Sequence, residues 1–290
     1  MPPAETAGAV GAGNDPVPGS LGTTVPIRPM TFRELLDTPF ALIQAAIRPL
    51  AGFGAILIVV AELVIAGVTA GVSRLSDDDD AAVAWTVVVS TLICAWLVRF
   101  AMRGLTTAIG TAAVHGAPTD WRTALRRSGA RLGPQLLFGS LFTLVGLAVL
   151  GLGTVLIIGV PFALLWLGWL RANRFVTVPV IFAEGANHRA AVARSKLLIA
   201  GTQWPTVWLW LCVRALLLLT ALPLLGIPWF LSDFSGTHRW AVIVLTTSAV
   251  LLIVAFGEVV ESATRVVVYV DRRCRREGMD IRLPLGAGVR

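Results

Sequence analysis

Residues 171–195 read RANRFVTVPVIFAEGANHRAAVARS. Four pieces follow one another: the basic end of an apolar helix, an apolar tail, a Glu184-Gly185 stop, and the start of an amphipathic helix bearing Arg189 and Arg194. The same order occurs upstream and, in part, near the C-terminus. The stretch is therefore the join between two copies of an internal repeat.

Three units line up on it, about 31–117, 118–186 and 187–278. Each opens with a capping residue, a ring side chain and Arg: Thr31-Phe32-Arg33, Asp120-Trp121-Arg122 and Asn187-His188-Arg189. Ala124-Leu125-Arg126-Arg127-Ser128 matches Ala191-Val192-Ala193-Arg194-Ser195. Each unit holds an outward and an inward apolar run, then closes on glycine: His115-Gly116, Glu184-Gly185, Glu277-Gly278. An arginine precedes that glycine by 13 residues in units one and three (Arg103, Arg265) and by 14 in unit two (Arg171). One order kept three times predicts a triplication. Mitochondrial carriers also have three units, but their Pro-x-Asp/Glu-x-x-Lys/Arg signature is missing, which excludes that family.

The composition says what medium the repeat sits in. Only 14% of residues are charged and the mean hydropathy is +0.79, against about 25% charged in soluble domains. This is an integral membrane composition, and 290 residues suffice for about six spans of roughly 20. Net charge is +7, almost all of it arginine. The arginines cluster at the ends of apolar runs, which argues for positive-inside topology and against nucleic acid. Cys94, Cys212 and Cys274 are too far apart for a metal site or a disulfide framework.

The predicted fold class is all-α: a six-transmembrane-helix bundle with three cytoplasmic interfacial amphipathic helices. Residues 1–26, rich in Gly and Pro and without Arg or Lys, read as a disordered cytoplasmic tail. The membrane domain is 27–284, with a short tail at 285–290. Thr31 and Glu34 have capping-box spacing and open the first amphipathic helix, 31–47; the others are expected at 120–132 and 188–202. Leu50–Val72 is span one, and Asp77–Asp80 a solvated loop. Span two starts near Ala82 and its apolar pattern continues to Val114. Residues 135–183 hold spans three and four, joined at Gly151/Gly153 or at Gly159-Val160-Pro161. Trp204–Ile227 is span five. Span six runs from Trp240 to about Val260 and on to Gly278.

Orientation follows from the basic residues. Arg28, Arg33, Arg48, the groups at 122–131 and 189–196, and Arg272, Arg273, Arg275 and Arg276 fall on one side, against Arg74 and Arg239 on the other. Six spans with both termini cytoplasmic satisfy the rule, and the expected location is the inner (plasma) membrane.

Three stretches carry a family resemblance. They are Arg28-Pro29-Met30-Thr31 through Phe40; Glu184-Gly185 followed by Ala191, Arg194, Ser195, Leu198, Gly201 and Trp204; and Tyr269-Val270-Asp271 with Arg276-Glu277-Gly278. Together they resemble an actinobacterial multi-pass membrane family related to the glycerophosphoryl diester phosphodiesterase membrane domain. Lys196 departs from the aromatic expected after Arg-Ser. The resemblance implies architecture and not hydrolysis, because the acidic and histidine metal ligands of the catalytic barrel have no counterpart in His115, His188 and His238.

Ionisable residues inside spans are the default functional candidates. Glu62 lies roughly 18 Å into span one and Arg214 roughly 15 Å into span five at 1.5 Å per residue. They are expected to pair with each other, or each with another partner inside the bundle, either as a structural link that specifies helix order or as a transport or proton site. A second group, Arg99, Arg103, Arg171, Arg174, Glu258, Glu261 and Arg265, lies in the same half of the inward spans. Positive-inside anchoring with local Arg–Glu pairs is the first reading of this group; arginine forks also suit phosphate, which makes an anionic inner-leaflet lipid head or a phosphorylated metabolite the second. No nucleophile-base pair, phosphate loop, dinucleotide fingerprint or zinc spacing is present. The expectation is a non-enzymatic protein without metal or cofactor, a scaffold or accessory protein contacting anionic lipid or a protein partner, or else a transporter or lipid-handling protein.

Overall fold

A computed structural model describes residues 25–77, 79–114, 121–155, 159–235 and 239–278. The described residues are helical, with no strand among them. In chain order the helices are α1 (Phe32–Ala45), α2 (Ile47–Leu75), α3 (Asp80–Val114), α4 (Trp121–Ala130), α5 (Leu132–Val155), α6 (Gly159–Asn173), α7 (Thr177–Ala183), α8 (His188–Ile199), α9 (Gln203–Ser235) and α10 (Arg239–Glu277).

Local chemistry fixes the starts and stops. Thr31 caps α1 in a full capping box with Glu34, and Asn187 caps α8 by accepting from Ala190 N–H at 2.9 Å. Asp79 accepts from Ala82 N–H at 2.9 Å, so part of the acidic run serves as the cap of α3. Gly185 and Gly278 have φ of +68° and +59°, the left-handed turn that glycine takes without steric cost. The expected Asp120 cap and the His115-Gly116 stop lie outside the described residues, as does nearly all of the 1–26 tail. Val25 and Pro26 are the described residues of that stretch, and Val25 is fully buried in the core, so the packed domain takes in residues ahead of the expected boundary at 27.

Five helices, α2, α3, α5, α9 and α10, are long and apolar enough to cross a membrane; this is a multi-pass membrane protein. Their apolar windows are only 17–28% buried, so most of this surface faces outward, as lipid-facing surface does. The expected sixth span, α6, has 15 residues. At 1.5 Å per residue that is roughly 22 Å, short of a hydrocarbon core of about 30 Å. Of the two turns considered between spans three and four, Gly151 and Gly153 lie inside α5 and Gly159 begins α6. Gly153 is where the two helices touch: a Cβ there would sit 2.7 Å from the Ala163 Cβ.

α10 is the hub. It packs against α3, α1, α9 and α2, and α3, α10, α9, α6 and α5 close a ring with α2 outside it. The densest packing lies at one end of the bundle. Residues 258–272 of α10 and 102–112 of α3 are buried all round, and α7 is almost wholly buried. There α1, α4, α7 and α8 wrap the C-terminal halves of α3 and α10. Gly110 permits the closest approach: a Cβ there would meet Val266 Cγ2 at 3.1 Å and Leu42 Cδ2 at 3.2 Å. Met30 N–H donates to the buried Asp271 at 2.8 Å, and Arg275 bonds both Asp271 and the Met30 carbonyl. The segment before α1 is thereby tied to the end of α10.

Candidate functional site

Inside the ring, α3, α6, α9 and α10 each send charged side chains to one point. α10 supplies Glu258 and Glu261, each with only 1% of its side chain exposed. Their spacing of three residues puts both carboxylates on one helix face. Arg103 from α3 grips Glu258 with both ends of its fork, Nε to Oε1 at 2.7 Å and Nη2 to Oε2 at 3.1 Å. Arg99, one turn earlier, donates to the same carboxylate and stands 3.9 Å from Glu261. Arg265 bridges both glutamates, reaching Glu258 at 3.3 Å and bonding Glu261 directly. Arg171 from α6 donates its Nε to Glu261 at 3.0 Å, and Arg214 from α9 bonds the other oxygen of that carboxylate. Ser262 adds a hydroxyl to Glu258 at 3.2 Å.

Aromatic rings wall the arginines. The Arg171 guanidinium lies 5.2 Å from the Phe142 ring and 5.5 Å from Trp210. Arg214 shares Trp210 at 5.8 Å, and Arg265 faces Phe175 at 5.8 Å. A ring face attracts a guanidinium, so these rings offset part of the positive charge that the carboxylates leave on Arg171, Arg214 and Arg265.

Arg103, Arg171 and Arg265 are the three arginines that precede the glycine stops of the aligned units, and all three meet on these two glutamates. Unit two places its arginine with one extra residue before the stop. The chain there is broken, with α6 ending at Asn173 and α7 starting at Thr177, whereas α3 and α10 run unbroken through Arg103 and Arg265.

Glu62 and Arg214 do not pair. Glu62 Oε1 accepts from the hydroxyls of Thr247 and Ser248 on α10, the latter at 2.9 Å. α10 stands between the two charges, packing α2 on one side and α9 on the other. Arg214 turns inward to Glu261, where a full countercharge is within reach. Arg174 is not among the arginines bonded to the glutamates; it lines a cavity of 260 Å³ beside Phe138, Phe142 and His188, and a minor cavity that Arg103, Arg171 and Arg265 also line. Burial, with Arg174 and Arg189 next, holds the His188 imidazole below its ordinary range.

The sequence reading passed over Gln135, at the start of α5. It is 1% exposed and donates to the Phe100 carbonyl of α3 at 2.9 Å. An uncharged residue in an apolar run gives little signal, though Gly104 was its counterpart: a Cβ there would lie 3.0 Å from the Gln135 amide.

The cluster is not electrically balanced. Five arginines against two glutamates leave a surplus of three positive charges among side chains mostly withdrawn from solvent. One charge at the centre of a spanning helix costs about 2.5–3.5 kcal/mol on insertion scales. The surplus is a net positive charge that two carboxylates leave unbalanced, and guanidinium forks are suited to phosphate and carboxylate oxygens. Among the described residues no group of three or more His, Cys, Asp or Glu is placed to hold a metal ion. No model of a known protein family matches the chain, and neither a curated protein nor a solved structure matches it.

Proposed function

We propose that the protein is a non-enzymatic multi-pass protein of the bacterial inner membrane, a scaffold or accessory component whose basic end contacts anionic lipid or a protein partner. In this reading α6 is a sixth span, both termini are cytoplasmic, and α1, α4 and α8 lie in the membrane interface. The resemblance to the phosphodiesterase membrane domain belongs to the same proposal and rests on its three stretches.

Charge asymmetry carries the reading. Arg33, Arg122, Arg126, Arg127, Arg189 and Lys196 are exposed on α1, α4 and α8. Those helices are held at the end of the bundle where α10 finishes, through Met30–Asp271, Arg131–Gly185 and Arg276–Ala200 contacts. The opposite end presents Arg74 beside the acidic Asp77, Asp79 and Asp80. Basic residues collect on the cytoplasmic side of membrane proteins and draw anionic lipid. Each short helix also keeps an uncharged inner face: Leu35, Pro39, Leu42 and Ile43 in α1, Ala124 and Ser128 in α4, Ala191, Ser195, Leu198 and Ile199 in α8. These are equivalent positions in the aligned units, which supports the triplication.

Topology is tested by replacing Cys94, Cys212 and Cys274 and introducing single cysteines at Leu75 or Arg126. A membrane-impermeant maleimide applied to intact cells should label Leu75→Cys and spare Arg126→Cys. The reverse pattern overturns the orientation and the lipid-facing role built on it. A second reading, a lipid-handling protein, is favoured by the surplus charge of the buried cluster.

A further inference from the structure

We infer that the groove between α9 and α10 holds an anionic membrane phospholipid, with its phosphate on Arg99 and Arg214 and an acyl chain along the two helices. The inference deepens the lipid-handling reading and is independent of which end of the bundle is cytoplasmic.

The groove has the shape of an amphiphile. Its inner end is a cavity of 350 Å³ lined by Arg99, Arg214 and Glu258, then by Leu217, Ala221 and Ile253. A second cavity of 240 Å³ shares Leu217, Ala221 and Ile253 and continues past Leu224, Leu252 and Phe256. One end is therefore cationic and the remainder almost wholly hydrocarbon. The inner cavity alone lies within the range of small-molecule sites, and the second extends it along the helices.

The groove opens sideways. Leu218, Leu252 and Phe256 on its rims are 64%, 47% and 46% exposed, and they lie in helices long and apolar enough to span. A ligand entering between them comes from the bilayer and not from water. That commits the occupant to a lipid rather than a dissolved anion.

The cationic end has unused capacity. Arg99 and Arg214 are 34% and 38% exposed along their side chains, whereas Arg103, Arg171 and Arg265 are at 9%, 11% and 5%. The open arginines are thus the two that face the cavity. Arg214 spends Nη2 on Glu261, its Nε is buried without a hydrogen-bond partner, and the exposed part of its side chain lines the cavity. Glu258 also lines the cavity, but Arg99, Arg103 and Arg265 already answer its charge. The surplus of three positive charges remains, and a phosphate diester matches the guanidinium fork. A zwitterionic lipid brings its own cation and leaves the surplus unmet, so the fit is to an anionic head such as phosphatidylglycerol.

The test is native mass spectrometry of the full chain released from detergent micelles containing equal amounts of phosphatidylglycerol and phosphatidylcholine with matched acyl chains. Wild type should retain one phosphatidylglycerol in preference by about tenfold or more. R214Q removes a phosphate partner, and A221W fills the groove without altering any charge. Each should lower retention by about tenfold, and millimolar inorganic phosphate should not displace the lipid. A221W keeps the test decisive if R214Q fails to fold. Equal retention of the two lipids, undiminished retention in folded A221W, or displacement by inorganic phosphate would each overturn the inference. A reversed labelling pattern in the topology experiment leaves it standing.

Discussion

Glu261 is the residue on which the charge cluster most depends. Its carboxylate bonds Arg171, Arg214 and Arg265, three guanidiniums from three helices. Glu261→Gln keeps the volume and one oxygen but removes the charge, raising the surplus from three to four. Removing one partner of a buried ion network costs about 3–5 kcal/mol, because the stranded charges stay buried. For chains of a few hundred residues each kcal/mol lowers the unfolding temperature by about 2–4 °C, so the expected fall is about 6–20 °C. The assay is thermal unfolding in lipid-free detergent, followed by tryptophan fluorescence; Trp210 lies against both Arg171 and Arg214. The double variant Glu261→Gln/Arg214→Gln returns the surplus to three and should recover part of the loss. Arg214→Gln alone lowers the surplus to two and should unfold no earlier than wild type. If Glu261→Gln unfolds within about 2 °C of wild type, or if the double variant is worse than the single one, the cluster is not held by the balance of charge described here.

Three further outcomes follow from other parts of the fold. Gly110→Leu should cost about 1–3 kcal/mol or more by overpacking, since even a Cβ would meet Val266 and Leu42 at 3.1 and 3.2 Å; wild-type thermal stability in this variant would contradict the close crossing of α3 and α10. Glu62→Gln should be well tolerated, because its carbonyl can still accept from Thr247 and Ser248, and exchanging the charges of Glu62 and Arg214 should not rescue either single reversal; expression levels in membranes read both. The capping box of α1 should be pH-sensitive: the Thr31 backbone N–H, the Arg28 side chain and the Thr31 hydroxyl bring the Glu34 carboxyl down to about 2 from an ordinary 4.5. Because the folded value is the lower one, this contribution is complete above pH 4.5 and is lost as pH falls toward about 2. The protection factor of amides at the start of α1, corrected for intrinsic exchange, should fall across that window in wild type and stay flat in Glu34→Gln.

Much of this fold was legible in the residues because it depends on local chemistry. Thr31, Asn187, Gly185 and Gly278 act through neighbours a few positions away, so caps and stops were readable without knowing the tertiary contacts. The long inward helices were legible for a similar reason: the apolar pattern of 82–114 and the run from 240 to 277 have no proline inside them. What failed was the choice of partner. Pairing Glu62 with Arg214 assumed that a buried charge seeks the opposite charge at equal depth. Hydroxyls also bond a carboxylate between helices, here through one oxygen of Glu62, and Thr247 and Ser248 look like ordinary members of an apolar span. Six of the seven residues expected to form the second group do meet. Arg174 does not, because it lies in the break between α6 and α7, and Arg214 takes the remaining place. Gln135 was silent because a neutral amide shifts neither charge nor periodicity.

In the proposed six-span arrangement, the unequal hairpin of α5 and α6 has a consequence for the bilayer itself. At 24 and 15 residues the two helices are roughly 36 and 22 Å long. One exceeds the hydrocarbon thickness by about as much as the other falls short of it. α5 can tilt to hide its excess, but a short helix is matched by lipid drawn inward around it, at a fraction of a kcal/mol per Å of mismatch. The dimple should form beside α6, whose last turn carries Arg171. Headgroups pulled toward the midplane there meet the arginine cluster part way, so the charges need not be carried to the depth that their place in the sequence implies. The protein's affinity for charged lipid should then depend on membrane thickness, weakening in bilayers built from longer acyl chains.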